Sequence, residues 1–138
     1  MRRRAPVSEI MSKNIIALDR EDDLQRAEML FKTHHIRHIP VVSEEYIIGM
    51  LSYSDLLRIS FADVSEDERD VGSIIYNMFT IEQVMTKNLV SVNSDTTIKE
   101  VAEILADNEF HALPVVDDNQ LVGIVTTTDL IKYLLKQF

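Results

Sequence analysis

No cysteine occurs among the 138 residues, which excludes disulfides, thiolate nucleophiles and cysteine-ligated metal. Glycine and proline are scarce, three of each, and beside 46% apolar residues that scarcity argues for an ordered core. No apolar run approaches the ~18 residues of a transmembrane helix. The opening MRRRAPVSEIM has arginines but no apolar stretch behind them, so it does not read as a signal peptide. A cytoplasmic protein is expected, with room for one ordinary domain or two half-size ones.

Positive charge is in short supply as well: 14 Lys and Arg stand against 23 Asp and Glu, a net −9. The balance is neutral over residues 1–59, −4 over 60–80 and −5 over 81–138. Such a chain repels nucleic acid and anionic membrane, so neither is an expected partner. Arg2, Arg3 and Arg4 form the one basic cluster and read as a solvated terminus. No P-loop, HExxH or nucleophile–base pairing is present, and an enzyme is not expected. His34, His35 and His38 do not make a metal site, because Pro40 and the β-rich run after Ile36 end the helix that would align them.

What the chain does have is a repeat. VSEIMSKNIIAL from Val7 matches IEQVMTKNLVSV from Ile81, HIPVV from His38 matches ALPVV from Ala112, and GMLSYSDLL from Gly49 matches GIVTTTDLI from Gly123. Met11 and Met85, Pro40 and Pro114, Gly49 and Gly123, Asp55 and Asp129 are all related by one offset, with no gap. Two copies of one fold follow, over 7–59 and 81–134, joined by 60–80.

Each copy reads as strand, helix, strand, strand, helix, an α+β (α/β) arrangement. NIIAL (14–18) and NLVSV (88–92) have strand composition. Asp22 or Asp23 can cap a helix bearing Leu24, Ala27, Leu30 and Phe31 on one face. Thr97 and Glu100 form a capping box ahead of Ile98, Val101, Ile104 and Leu105. Strand pairs follow at Ile39–Val42 with Tyr46–Leu51 and at Leu113–Val116 with Leu121–Val125, joined by polar turns, and a short helix starts after Ser52 and after Thr126. In the joining segment Val71, Ile74, Ile75 and Met78 have helical spacing, and Thr80 to Gln83 resembles another capping box. Half a chain buries too little surface alone, so the copies are expected to pack sheet against sheet as one pseudo-two-fold unit.

GMLSYSD (49–55) and GIVTTTD (123–129) carry the candidate chemistry. Backbone N–H groups and a hydroxyl at a helix start can hold a phosphate, so Ser52 and Thr126 are candidates. Asp55 and Asp129 can each accept two hydrogen bonds from a ribose diol. The same residues also fit an acidic capping box that merely closes the helix, and from the residues alone both readings stand.

In order and spacing, the duplicated IMSKN…IPVV…GxxSxxD pattern, with its GxxTxxD counterpart, resembles CBS domains, named after cystathionine β-synthase. The resemblance implies a tandem pair, a Bateman module, in which Ser52, Asp55, Thr126 and Asp129 bind the phosphate and ribose of an adenine nucleotide. It puts forward Arg37, His38 and His111 as cations facing phosphate, Arg37 foremost because its guanidinium is permanently charged. For His38 and His111 a role at the helix end is the alternative. Ala112 replaces His38 in the second copy, so the two pockets should differ in phosphate preference. Ile16 and Val90 are candidate apolar walls for adenine, or ordinary core.

The function this implies is a regulatory sensor of AMP, ADP, ATP or a related adenosyl compound, working as a homodimer. The second copy ends four residues before Phe138, so a signal is expected to pass to a separate target protein. The alternatives are a scaffold with unoccupied sites and a divalent-cation sensor built on Glu66, Asp67 and Asp70.

Overall fold

The computed structural model describes residues 4–61 and 78–138. The chain is an α+β protein of two compact units. One is Ile16–Leu89; the other is Val90–Phe138 together with the N-terminal stretch through Ile15. The first unit contains β1 (Leu18–Asp19), α1 (Leu24–His34), β2 (His38–Ser43), β3 (Tyr46–Ser52), α2 (Tyr53–Phe61) and the short α3 (Ile81–Val84). The second contains a 3-10 turn at Val7–Glu9, α4 (Ile98–Ala106), β4 (Ala112–Asp117), β5 (Gln120–Thr126) and α5 (Thr127–Leu135). The joining helix expected around Val71, Ile74 and Ile75, and the acidic residues Glu66, Asp67 and Asp70, lie outside the described residues.

Local chemistry starts the helices where expected. Asp23, rather than Asp22, caps α1 by accepting from the Arg26 amide at 2.8 Å. Thr97 with Glu100 and Thr80 with Gln83 make full capping boxes on α4 and α3. Each box satisfies amides that the first helical turn leaves without partners. α1 ends at His35, whose φ of 53° and ψ of 39° place it in the left-handed region that closes helices. His34 and His35 therefore serve the helix terminus. Leu24, Ala27, Leu30 and Phe31 are all buried, as their spacing requires, and α4 buries Ile98, Val101 and Leu105.

The first strands are shorter than their composition predicts. Ile16 lies outside β1, which holds only Leu18 and Asp19, and in the second copy a single residue, Val92, bridges in parallel to Val115. Proline explains it. The Val92 amide donates to the Pro114 carbonyl (3.1 Å) and the Val116 amide donates to the Val92 carbonyl (2.7 Å). Extending that ladder one step upstream needs an N–H from Pro114, which has none. Pro40 imposes the same limit where Leu18 stands opposite Val41.

β2 with β3, and β4 with β5, form antiparallel hairpins of matching register, each with a bulge beside the valine that faces glycine. The turn residues are Glu44–Glu45 and Asp118–Asn119. Glu44, Asp118 and Asn119 have positive φ, 61°, 51° and 67°.

The compact units do not follow the repeat boundaries. Residues 81–89 open the second repeat but pack in the first unit, and 7–15 open the first repeat but pack in the second. Thr86 exchanges two backbone hydrogen bonds with Met50, and Ser12 exchanges two with Ile124. The Met85 side chain lies against Gly49 and that of Met11 against Gly123, where an added Cβ would collide with the thioether. Each glycine thus provides a seat for a methionine, the close approach that glycine in a strand permits. The cores are correspondingly separate: Leu18, Leu24, Phe31, Ile39, Leu51, Leu56 and Ile81 in one, and Val7, Val101, Leu113, Val115 and Val125 in the other.

Candidate functional site

In both copies the candidate residues meet where a strand gives way to a helix. Ser52 ends β3, and its amide donates to Asp55 Oδ2 at 3.0 Å while its Oγ accepts from the Asp55 amide at 3.1 Å. Thr126 ends β5 and repeats the exchange: its amide donates to Asp129 Oδ2 (2.9 Å), its hydroxyl donates to the same oxygen (3.1 Å), and its Oγ1 accepts from the Asp129 amide (3.2 Å). Reciprocal capping boxes therefore exist at both junctions. The capping half of the sequence reading is realised, and it leaves the outer carboxylate oxygen to be accounted for. Asp55 Oδ1 is 3.4 Å from Arg58 Nη2, whereas Asp129 Oδ1 has no partner among the described residues.

The cationic candidates are placed by the backbone. The Tyr53 amide donates to the Arg37 carbonyl and the Thr127 amide to the His111 carbonyl, both at 2.9 Å. Residues 37 and 111 thus sit beside the first residue of α2 and α5, with their side chains exposed. His38 stands opposite Ser52 across the hairpin, and Ala112 opposite Thr126. Directly opposed residues project from the same sheet face, so His38 adds an imidazole beside Ser52 that the second copy lacks. Basic and imidazole side chains are therefore gathered more densely at the junction of the first copy.

The apolar candidates are less uniform. Ile16 is half-buried against the core of its unit, so core burial accounts for part of it. Val90, its counterpart, is 45% exposed and is not core.

One cavity lies elsewhere. An open groove of about 1240 Å³ in the second unit is lined by residues 91–96, by Glu100, Glu103, Ile104, Asp107 and Asn108, and by 116–119. It holds none of the candidate residues, and its carboxylates would repel a phosphate. Within its lining the Ser94 amide and hydroxyl donate to Asp117 at 3.0 and 2.6 Å. Those two bonds hold the Asp117 carboxyl below the usual carboxylate range. Nothing local announces this pair; its one trace in the sequence is that the second copy has Ser94 and Asp117 where the first has Arg20 and Ser43. Among the described residues no three His, Asp or Glu side chains converge as metal ligands, and no helix is long and apolar enough to cross a membrane.

Comparison with known proteins accords with this geometry. The family model of the CBS domain matches residues 7–62 and again 81–136. Protein MJ1225 of Methanocaldococcus jannaschii is 32% identical over 130 residues, covering 94% of this chain and 42% of that protein. The CBS domain-containing protein YhcV of Bacillus subtilis is 29% identical over 124 residues, covering 90% and 81%. Among solved structures, the CBS domain pair of protein MJ0100, in complex with 5′-methylthioadenosine and S-adenosyl-L-methionine, superposes with a TM-score of 0.79 at 26% identity, covering 97% and 98%. The chain thus spans less than half the length of MJ1225, though nearly all of the MJ0100 pair.

Proposed function

We propose a function from one premise: this chain belongs to the CBS domain family, as a tandem pair. Its role on this reading is to bind an adenosine-containing ligand, AMP, ADP, ATP or an adenosyl compound, and to report occupancy to another protein. The observation that carries it is the doubled strand–helix junction, in which a hydroxyl, a carboxylate and a cation-bearing residue are gathered by the same backbone contacts in both copies. The adenosyl ligands bound by the MJ0100 pair support that choice of chemistry.

On this reading Ser52 and Thr126, with the adjoining amides, face a phosphate or the polar group in its place. Arg37, His38 and His111 supply counter-charge. Asp55 and Asp129 receive the ribose diol on the oxygen that the cap does not use, so capping and binding share one side chain. Ile16 and Val90 offer apolar surface to the adenine. The module itself performs no catalysis, and its expected setting is cytoplasmic. We read it as a homodimer joined through exposed apolar residues of the last helix of each copy, Leu57, Ile131 and Leu134 among them. Leu56, on the same helix as Leu57, is 1% exposed in the core of its own unit and is unavailable to a partner.

A scaffold is the second reading, and the completed capping boxes favour it to the extent that they already give the aspartates a structural task. Calorimetry on D129N and D55N separates the two. Ribose recognition predicts folded variants with affinity for AMP or an adenosyl compound reduced roughly ten- to hundredfold, the worth of hydrogen bonds to a charged group. Native affinity in both variants would leave caps alone.

A further inference from the structure

The two junctions share a cap but differ in what surrounds its carboxylate. At the first, Arg58 lies one turn along α2, its Nη2 3.4 Å from Asp55 Oδ1, while Oδ2 accepts from the Ser52 amide. The Asp55 side chain is 13% exposed and that of Arg58 76%, so an exposed cation lies against a sheltered carboxylate. At the second, Oδ2 of Asp129 takes both Thr126 bonds and Oδ1 stands open among the described residues. Lys132 occupies the position of Arg58 there and makes no ion pair among the described residues.

We infer that Arg58 is a specificity-determining residue that occupies the outer oxygen of Asp55, so that the first junction accepts a ribose diol less readily than the second. The inference rests on the adenosine reading above. A vicinal diol brings two donors and seeks free acceptor positions on the carboxylate. Asp129 offers a whole oxygen. Asp55 offers one that a ligand must share with a guanidinium, whose fixed charge and planar fork suit it to a carboxylate better than an ammonium does. Because one member of the pair is exposed, the competition is modest, about two- to fivefold in affinity.

The probe is 5′-methylthioadenosine, which has the diol and no phosphate, so attraction between Arg58 and a phosphate does not enter. In a D129N background, which leaves the first junction, R58Q should tighten calorimetric binding about two- to fivefold. The gain should vanish with the 2′-deoxy analogue. In a D55N background, which leaves the second junction, neither R58Q nor K132Q should change the affinity. If R58Q neither tightens nor restores binding to D129N, or weakens it, Arg58 has no such role, while binding by the native chain preserves the adenosine reading. Failure of the native chain to bind any adenosine compound removes that reading and this inference with it.

Discussion

The two copies share a backbone plan and differ in how they fill it. The first packs Leu18, Leu24, Phe31, Leu51 and Leu56, with Phe31 meeting Tyr53 edge-to-face at 5.4 Å between ring centroids. The second, at the matching positions, has Val92, Ile98, Leu105, Val125 and Leu130, and Thr127 in place of the tyrosine. Its hydroxyl turns to the His111 carbonyl instead. The first copy thus packs the bulkier apolar side chains and carries more cation near its junction, while the second is valine-rich and keeps its aspartate oxygen open among the described residues. Duplication has preserved the register and released the side chains.

Core truncation should expose this difference most. Leu51→Ala should cost about 2–5 kcal/mol and Val125→Ala, at the matching strand position and losing fewer methyl groups, about 1–2 kcal/mol. Urea unfolding of both variants reads the two values, and a reversed order would break the contrast between the cores. Overfilling the glycine seats should instead affect both copies alike. Gly49→Val and Gly123→Val each drive a side chain into a methionine, Met85 or Met11, and each should cost about 1–3 kcal/mol. A large effect at one site alone would show that only one leading segment is firmly docked.

Smaller effects are expected at the turns. Glu44 holds a positive φ without the local hydrogen-bonding that favours Asn or Asp there, so Glu44→Asn should stabilise the first hairpin by about 1 kcal/mol. The second copy already has Asp118 and Asn119, and Asn119→Ala should lose a similar amount, about 1 kcal/mol, by thermal or urea unfolding. The last difference concerns acid. Asp117 has its pKa lowered by the Ser94 bonds, and the first copy has Ser43 in its place. A lowered folded value means that the ionised carboxylate is favoured in the native state. Its contribution is complete above the unfolded value of about 3.9 and fades as pH falls through the folded one. NMR titration of the carboxyl should show a midpoint below the usual range, and Ser94→Ala should raise it towards normal.

Much of the fold was legible because its signals are local. The caps at Asp23, Thr80 and Thr97 and the buried face of α1 follow from residues three or four apart. The shortened first strands were legible in principle, since Pro40 and Pro114 were in view, but only the parallel pairing reveals which carbonyl each proline fails to serve. The candidate site was legible as residue types and as a repeated spacing. Its inequality was not, because Arg58 and Lys132 are both basic residues at one helical position, and only coordinates separate the one that turns to its aspartate from the one that does not.

By itself, then, the sequence determined that there are two copies, where their helices begin, which faces are apolar and which hydroxyl and carboxylate share each junction. These are settled by hydrogen bonds and side-chain spacings within a few residues, and the repeat writes them twice. The tertiary structure alone decided that each leading segment packs with the other copy's strands, Met11 on Gly123 and Met85 on Gly49, and that one aspartate is ion-paired while its twin is open. Near-identical segments offer near-identical partners, so pattern cannot choose between them. That choice depends on chain connectivity and on which packing fills each glycine seat without collision.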